Sequence, residues 1–480
     1  MVSLEGLLLV NFGIGLLLAI PTAWEKDQLT LRVNIALAIL TGICTHFLVV
    51  RSRSLFIAAN LFGKDMHRKD RPVVPEAVGV ILGATYGTSL SVFLPFLLIS
   101  RSLTPGGLKL SLFMGAMLSI NSMCFLGFAD NVLNLRWRVK LVVPFAATLP
   151  LLLVYYASGG STTVLIPEIV SEYWFGCSTE TTTALVTKSF PTSIDLGFLF
   201  YIFLACLAVF ATNAINILAG VNGLETGQTI ILVGSLIVNN AVQLLRLPRQ
   251  WPSWESHLFS LYLLLPFLAG TIALYRHNKF PASIFVGDTF CYLAGMTIAA
   301  SGVIGQSSKT VLLFMFPQVV NFLYSTPQLF KLLPCPRHRL PVYNEEDDTV
   351  GVSFTEWMVE SKLSLFTKLF IRLIDYFGLA KVERKTDEMI SENSETEDKV
   401  NRSRRGRSRT VKLRQCSSPS AASQHIRVQN LTLLNLVLWK SGPMHEKTLT
   451  DTLLGLQLTW SLFAFWLRYY AAGWLYKVVH

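Results

Sequence analysis

The stretch TNAINILAGVNGLETG, from Thr212 to Gly227, separates two strongly apolar segments of the chain and yet is itself polar. It contains the amides Asn213, Asn216 and Asn222 together with Glu225. Unpaired amides in hydrocarbon are costly, so such side chains line a wet cavity, bind a ligand or lie outside the membrane. The rest of the chain decides which of these applies.

The composition is typical of a membrane protein. Of the 480 residues, 52% are hydrophobic and 15% are charged, and the mean hydropathy is +0.48. These values lie outside the usual range of soluble globular domains. The net charge of +11 first indicates orientation, because Lys and Arg accumulate in cytoplasmic loops of membrane proteins. We therefore expect no nucleic-acid partner.

Apolar segments long enough to cross a bilayer recur along the chain. A hydrocarbon core of roughly 30 Å requires about 20 helical residues. This criterion predicts an all-α polytopic membrane protein with about ten or eleven transmembrane helices, which begin near residues 3, 33, 77, 108, 141, 195, 227, 257, 288, 309 and 450. The first segment lacks the basic region and cleavage site of a removable signal peptide, so we interpret it as a retained span.

The charges of the connecting loops predict the orientation. Basic residues are concentrated in three alternate loops, at Arg51–Arg71, Arg136–Lys140 and Arg276–Lys279, which the positive-inside rule assigns to the cytoplasm. The loop 157–194 carries three glutamates and a single lysine, as suits a lumenal loop. The N-terminus is then cytoplasmic.

The lengths of the connections predict four regions. They are an extra N-terminal span with a lumenal loop (1–32), the transmembrane core (33–341), a cytoplasmic insertion (342–430), and a return segment with the last transmembrane helix (431–480). Within the insertion, Thr355–Phe377 has apolar and basic residues at helical spacing. This pattern is typical of a helix in the membrane interface, and a helix packed against the domain is the alternative. The acidic and basic segment 391–414 is predicted to be disordered.

Five polar motifs lie at the predicted cytoplasmic ends of the spans. They are GKDMHRKDRPVVPE (63–76), GFADNVLNLRWRVK (127–140), the opening stretch, NKFPASIFVGDTF (278–290) and PCPRHRLP (334–341). One face therefore collects carboxylates, cations and amides, the set that holds a metal ion and a polyphosphate: Asp130, Asp288, Lys140, Arg337, Arg339 and the asparagines. Asn216 and Asn222 are predicted to face a ligand at the membrane–water boundary.

Several of these residues also have an explanation that involves no ligand. Asp130 would serve equally well as the ion-pair partner of Arg136 or Arg138. Asp288 has the position of an N-cap for the following helix, a role that is compatible with metal binding. The arginines of Pro334–Pro341 fit a positive-inside anchor, although the flanking prolines stiffen the segment and favour a fixed binding fork.

Taken together, the motifs resemble those of one family in order and spacing. NAINILAGVNGLE, FADNVLNLRWR, FVGDTFCYLAGM, FGKD with RPVVPE, and PCPRHRLP are similar to the eukaryotic UDP-N-acetylglucosamine:dolichyl-phosphate N-acetylglucosamine-1-phosphotransferases, within the polyprenyl-phosphate sugar-1-phosphate transferase family. The resemblance covers roughly residues 33–342 and resumes at Leu431–Thr450. It implies transfer of GlcNAc-1-phosphate from UDP-GlcNAc to dolichyl phosphate, giving GlcNAc-pyrophosphate-dolichol and UMP. It also implies an endoplasmic reticulum membrane location with a cytoplasmic active site.

The resemblance assigns roles at the nucleotide side by matching positions. It implies that Asp288 holds Mg²⁺ on the pyrophosphate of the UDP-sugar, with the Asn216 side chain as a second ligand. Phe285 and the backbone at Gly220 would sandwich the uracil ring, and Asn222 would recognise its edge.

The same matching places four further residues on the nucleotide-sugar. Glu76 would contact the nucleotide end. Arg337 would bind the pyrophosphate, with His338 and Arg339 near the sugar. Direct in-line attack by the lipid phosphate is preferred over a covalent aspartyl intermediate, because an ionised phosphate is already a nucleophile and mainly requires alignment.

On the lipid side, the resemblance implies that Lys140, with Asp130 and Asn134, lies where dolichyl phosphate arrives. Members of the family usually carry two consecutive aspartates where this chain has Asp130 and Asn131. Asn131 cannot ionise but still offers hydrogen bonds, so activity is expected.

Two hypotheses of different classes follow. The first is the membrane phosphotransferase, with UDP-GlcNAc, dolichyl phosphate and membrane lipid as partners; the sequence leaves a homodimer open. The second is a catalytically silent membrane subunit or lipid transporter of the same fold. Retention of Asp288, Lys140 and both arginines of Pro334–Pro341 favours the enzyme.

Overall fold

A computed structural model describes residues 25–101, 107–133, 135, 139–166, 193–336, 339–358, 365–376, 378–386 and 424–475. The chain divides into two compact units. The first comprises Met1–Met66, Asp70–Val320 and Thr450–His480, and the second comprises His67–Lys69 and Asn321–Leu449, as far as these ranges are described. The second unit is therefore larger than the predicted insertion at 342–430.

Helices dominate the structure. They are α1 (Glu25–Ala58), α2 (Gly79–Arg101), α3 (Gly107–Leu133), α4 (Val139–Ala157), α5 (Phe198–Ile217), α6 (Leu224–Arg246), α7 (Pro252–Asn278), α8 (Gly287–Ile304), α9 (Ser308–Phe314), α10 (Phe316–Leu329), α11 (Leu365–Tyr376), α12 (Leu433–Ser441), α13 (Glu446–Trp466) and α14 (Ala472–Leu475). A π-helical turn, Leu467–Ala471, joins the last two.

Six helices in the described ranges are long and apolar enough to cross a membrane. They are Leu29–Ala58, Gly79–Leu98, Leu110–Leu133, Phe198–Ile217, Leu224–Arg246 and Pro252–Asn278, and Val142–Ala157 is a shorter apolar helix. A polytopic membrane protein fits these helices. The span predicted near residue 3 lies outside the described residues. The span predicted near 288 coincides with α8, the one near 309 with α9 and α10, and the one near 450 with α13. None of these helices is among the six.

Helix α8 lies at the centre of the first unit. It packs against α3, α5 and α7, and every residue from Thr289 to Ile304 is buried. A helix that is apolar on all sides belongs in a core. An added Cβ on Gly295 of α8 would lie 2.3 Å from the Cα of Thr212 in α5, and one on Gly127 of α3 would lie 2.7 Å from the Cα of Thr289. The contact at Gly127 holds the N-terminal end of α8 against α3.

The all-α prediction omitted nine short strands in the described residues. They are β1 (Phe62–Lys64), β2 (Val73–Pro75), β3 (Thr163–Leu165), β4 (Ser193–Asp195), β5 (Val342–Asn344), β6 (Thr349–Gly351), β7 (Phe354–Met358), β8 (Val382–Thr386) and β9 (Gln424–Gln429). The first six form three two-stranded antiparallel sheets, and the last three form an antiparallel sheet in the order β7-β9-β8. Most have only three residues, too few for an alternating pattern to be recognised in the sequence.

The helix predicted over Thr355–Phe377 is wrong in its first part. Phe354–Met358 is the strand β7, paired with β9, and α11 begins only at Leu365. Ile371 and Ile374 of α11 are buried in a core cluster of the second unit. This agrees with the alternative of a helix packed against the protein. The segment 391–414, predicted to be disordered, lies outside the described residues.

Candidate functional site

Four of the predicted site residues form one connected cluster. The Nζ atom of Lys140 lies 2.8 Å from Oδ2 of Asp130 and 3.1 Å from Oδ2 of Asp288. The side-chain amide of Asn216 donates to Oδ1 of Asp288 at 2.8 Å. Asp130 and Asn216 lie in the last turns of α3 and α5, whereas Lys140 and Asp288 lie in the first turns of α4 and α8. The structure thus brings four helix ends together.

The two carboxylates of the cluster have different environments. The side chain of Asp130 is 0% exposed and that of Asp288 is 24% exposed. Asp130 also accepts hydrogen bonds from the Tyr292 hydroxyl and from the Leu135 backbone amide, both at 3.1 Å. Asp130 is therefore held on the protein side, and Asp288 is the carboxylate that a ligand can reach.

Lys140 remains a cation between these carboxylates. Burial lowers the pKa of Lys140, but the charges of Asp288 and Asp130 outweigh this effect and place the pKa above its usual value. With both carboxylates ionised, the three side chains carry a net charge of −1. Such a site attracts a further cation, and it repels a phosphate unless that cation is present.

The amide of Asn131 caps the helix that carries Asp288. Its Oδ1 atom accepts hydrogen bonds from the backbone N–H of Thr289 at 3.0 Å and from the Thr289 hydroxyl at 2.7 Å. The first N–H groups of a helix have no partner within the helix. Because α8 begins at Gly287, with Val286 as its N-cap, Asp288 lies inside the first turn and is not the N-cap residue.

Phe285 and Glu76 both lie against strand β1. A Cβ added to Gly63 would lie 3.3 Å from the Phe285 ring and 3.4 Å from Oε2 of Glu76, so a larger residue here would have to displace these side chains slightly. The Phe285 backbone N–H donates to the carbonyl of Pro75 at 2.7 Å. Burial and the negative charge of Asp288 raise the pKa of Glu76. The carboxyl of Glu76 therefore belongs to the electrostatic environment of the cluster.

The predicted base-binding segment contacts the same hairpin. The side-chain amide of Asn222 donates to Oδ2 of Asp65 at 3.0 Å, and both side chains are buried. Asp65 follows Gly63 by two residues. The backbone N–H of Gly220 donates to Oε1 of Glu225, in the first turn of α6, at 3.3 Å. The β1–β2 hairpin thus lies next to Phe285, Glu76 and Asn222, three of the residues predicted to contact the nucleotide.

The remaining predicted residues fall elsewhere. Outside the described ranges lie Asn134, Arg337 and His338, together with Arg136 and Arg138, the alternative partners of Asp130. Arg339 belongs to the second unit, where the Asn435 side chain donates to its carbonyl at 3.2 Å. Its buried Nη1 atom has no hydrogen-bond partner among the described residues, and burial lowers the pKa of Arg339. A guanidinium in this state suits an anionic ligand.

Two contacts of the site were missed by sequence reasoning. Tyr292, which donates to Asp130, lies four residues after Asp288 and therefore on the same face of α8, a spacing that was available as a signal. Asp65 belongs to the FGKD motif, but nothing in the sequence pairs it with Asn222. That contact depends on how the β1–β2 hairpin packs.

Comparison with known proteins gives matches over most of the chain. Residues 113–306 match the family described as glycosyl transferase family 4. The UDP-N-acetylglucosamine–dolichyl-phosphate N-acetylglucosaminephosphotransferase of Saccharomyces cerevisiae is 38% identical over 437 residues, 86% of either chain. The protein of the same name from Schizosaccharomyces pombe is 34% identical over 94% of this chain and 95% of its own. That from Dictyostelium discoideum is 40% identical over 70% and 84%, respectively.

Proposed function

Because the chain belongs to the family of the UDP-N-acetylglucosamine–dolichyl-phosphate N-acetylglucosaminephosphotransferases, we propose that it transfers GlcNAc-1-phosphate from UDP-GlcNAc to dolichyl phosphate. The products are GlcNAc-pyrophosphate-dolichol and UMP, in the first step of the lipid-linked oligosaccharide pathway of N-glycosylation. We place the enzyme in the endoplasmic reticulum membrane with its active site facing the cytoplasm, where the positive-inside rule puts the motif-bearing ends of the spans.

The observation that carries the proposal is the cluster of Asp130, Lys140, Asn216 and Asp288. It joins a reachable carboxylate, an amide and a fixed ammonium group within hydrogen-bonding distance of one another. Phosphoryl transfer requires charge screening and alignment more than covalent chemistry. A net negative cluster that retains one lysine suits the combination of a divalent cation and two phosphate-bearing substrates.

The residues present fit Mg²⁺. Asp288 offers a carboxylate oxygen, and Asn216, whose amide nitrogen already donates to Asp288, offers its amide oxygen. Mg²⁺ prefers oxygen ligands and is commonly held by one or two protein groups together with substrate phosphates. Asp288 and Asn216 would hold the ion, whose charge would offset the negative charge that develops on the pyrophosphate.

The protein side chains would orient the reacting phosphates. We assign Lys140 to the phosphate of dolichol, as the family resemblance implies, and the two carboxylates hold its Nζ atom in place. Asp130 orients Lys140 and is itself held by the hydroxyl of Tyr292 and the N–H of Leu135. An oxygen of the lipid phosphate attacks the sugar-bearing phosphorus, and the bond from that phosphorus to UMP breaks. The attacking oxygen is already ionised, so no general base is required.

The nucleotide would bind beside the β1–β2 hairpin. We assign Phe285 and the backbone at Gly220 to the two faces of the uracil ring and Asn222 to its edge. We assign Glu76 to the nucleotide end, since its carboxylate and the Phe285 ring both approach Gly63. We assign Arg337 to the pyrophosphate and His338 and Arg339 to the sugar; the buried Nη1 atom of Arg339, which has no hydrogen-bond partner among the described residues, supports an anionic ligand near this residue.

The proposal is tested with the purified full chain, Mg²⁺, UDP-GlcNAc and dolichyl phosphate. UMP release that requires all three components is expected, with GlcNAc-pyrophosphate-dolichol as the lipid product. Replacement of UDP-GlcNAc by UDP-GalNAc tests the sugar selectivity. Binding of UDP-GlcNAc without UMP release would instead indicate the silent subunit or lipid transporter.

Substitution of Asn131 tests its role as a cap. Asn131→Asp keeps an acceptor oxygen for Thr289 and is expected to retain activity within about threefold of the wild type. Asn131→Leu removes the acceptor, which costs about 1 kcal/mol of stability in typical helix caps. It also loosens the turn that carries Asp288, so UMP release is expected to fall at least roughly tenfold.

Both variants are measured for UMP release and melting temperature in the same preparations. A loss of activity in Asn131→Asp that equals the loss in Asn131→Leu would show that the site depends on the amide itself. If Asn131→Leu kept the activity and melting temperature of the wild type, the contact of Asn131 with α8 would have no role in the site.

A further inference from the structure

The end of α5 that carries Asn216 is held by a side chain from another helix. The last carbonyls of a helix have no partner within it, and in an apolar environment unsatisfied carbonyls are costly. The side-chain amide of Gln228, in α6, donates to the carbonyl of Ile215 at 3.2 Å and to that of Leu218 at 2.7 Å. These carbonyls lie on either side of Asn216 in the sequence. Gln228 therefore fixes the turn from which Asn216 reaches Asp288.

Gln228 is itself held by two further buried glutamines. Its Oε1 atom accepts a hydrogen bond from Gln318 of α10 at 2.9 Å, and the same Gln318 amide donates to Oε1 of Gln457 of α13 at 2.8 Å. The Gln457 amide donates to the carbonyl of Phe314 at 3.1 Å. All three glutamines are at most 2% exposed. We call Gln228, Gln318 and Gln457 the amide relay.

Each amide of the relay has one favoured orientation. Both amide hydrogens of Gln228 are taken by backbone carbonyls, so its oxygen must face Gln318. The Gln318 amide in turn faces two side-chain oxygens. A flip of Gln228 or Gln457 would bring its NH₂ group against that of Gln318, and a flip of Gln318 would bring its oxygen against two other oxygens. The cost of such mismatches is high in a buried network. The orientation of Gln228 is therefore set by contacts that reach as far as α13.

We propose that Gln228 is a positioning residue for Asn216, and that the amide relay keeps the metal-binding side of the site in place through it. The inference rests on the proposed function, because it assigns the Asn216–Asp288 pair to Mg²⁺ and UDP-GlcNAc. Gln228 does not contact the reacting atoms. It acts through the carbonyls of Ile215 and Leu218, and it links the last long helix of the chain to the site.

The test is Mg²⁺ binding by the full-length Gln228→Met protein, since methionine keeps the shape of glutamine without its hydrogen bonds. The melting temperature is followed during a Mg²⁺ titration with UDP-GlcNAc present and dolichyl phosphate absent, so that no turnover occurs. Ligand binding stabilises the folded protein by RT ln(1 + [L]/Kd), so the rise in melting temperature with Mg²⁺ concentration gives the half-saturating concentration. The half-saturating Mg²⁺ concentration is expected to rise about tenfold, as for other residues that orient metal ligands. In the complete assay, the KM for UDP-GlcNAc rises and the KM for dolichyl phosphate does not.

Gln243→Met is the matched control. Gln243 is a buried glutamine of the same helix, and it donates to the Tyr469 hydroxyl at 3.4 Å. It lies 15 residues from Gln228, roughly 22 Å along the helix. The Gln243→Met variant is expected to have a lower melting temperature without ligand and an unchanged half-saturating Mg²⁺ concentration. The same pattern in Gln228→Met would overturn the proposal, because it would show a structural role only.

A second variant covers the case in which Gln228→Met does not fold. Gln457→Met removes the far end of the relay and leaves the contact between Gln318 and Gln228, so a rise of roughly threefold in half-saturating Mg²⁺ is expected. An unchanged half-saturating Mg²⁺ concentration would show that the amide relay does not act on the site. A wild-type protein that is stabilised by Mg²⁺ and UDP-GlcNAc but releases no UMP would refute the proposed function, while the binding titrations would still decide the role of Gln228.

Discussion

Asp288→Asn is expected to abolish UMP release while the protein remains folded. Asp288 is the reachable carboxylate of the cluster, since its side chain is 24% exposed and that of Asp130 is 0% exposed. The substitution keeps the size of the side chain and a hydrogen-bonding partner for Asn216, but it changes the net charge of the cluster from −1 to zero. The site then no longer attracts a divalent cation. The rate is expected to fall more than roughly 1,000-fold, the upper range for loss of one electrostatic group in an active site.

The measurement is UMP release at saturating substrates, together with the Mg²⁺-dependent rise in melting temperature described for Gln228. Asp375→Asn is the matched control, because Asp375 is an exposed carboxylate of α11 in the second unit, and it is expected to behave as the wild type. A fully active Asp288→Asn protein would refute the metal role. If activity were lost but the Mg²⁺-dependent rise in melting temperature were normal, Asp288 would not be a metal ligand and would have a different catalytic role.

Much of the site was predictable because its residues lie at the ends of apolar helices. The sequence marks such ends clearly, as a polar motif after a long apolar run, and Asp130, Asn216 and Asp288 were all found in this way. Loop charge then predicted that these ends share one side of the membrane. The structure brings Asp130, Lys140, Asn216 and Asp288 into contact, as that argument requires.

The two-stranded sheets and the strand β7 were not predictable by the same reasoning. A search for apolar segments of about 20 residues cannot register strands of three residues. In Phe354–Met358 the helical spacing of apolar residues continued into the true helix α11, so the two elements were interpreted as one. The pairing with β9, which lies more than 65 residues further along the chain, decides the conformation of this segment, and a local pattern contains no information on such a partner.

The residues that orient the site were hidden for a related reason. Asn131 was noted only as a departure from the usual aspartate pair, and its function as an acceptor for the first turn of α8 depends on the packing of α3 against α8. Gln228 carries no local signal, because a glutamine in an apolar helix has many possible partners. Its role follows from the carbonyls that happen to face it, which are known only when the helices are placed.

Lys140→Met is expected to produce the second large loss, and it affects both activity and stability. Removal of the ammonium group takes away the cation assigned to the lipid phosphate, and UMP release is expected to fall roughly 100- to 1,000-fold. The substitution also leaves the fully buried carboxylate of Asp130 with neutral donors, the Tyr292 hydroxyl and the Leu135 amide. Breaking a buried ion pair from one side costs about 3–5 kcal/mol. The melting temperature is therefore expected to fall.

The double variant Asp130→Asn/Lys140→Met separates the two effects. It removes the unpaired buried charge, so most of the lost stability is expected to return, because replacing both partners of a buried pair is far less costly than removing one. Activity is not expected to return, since the cation at the lipid phosphate is still missing. Lys447→Met, at an exposed lysine in the first turn of α13, is the control and should match the wild type in both measurements. If the double variant regained activity together with stability, Lys140 would act only as the counter-ion of Asp130, and another cation would have to receive dolichyl phosphate.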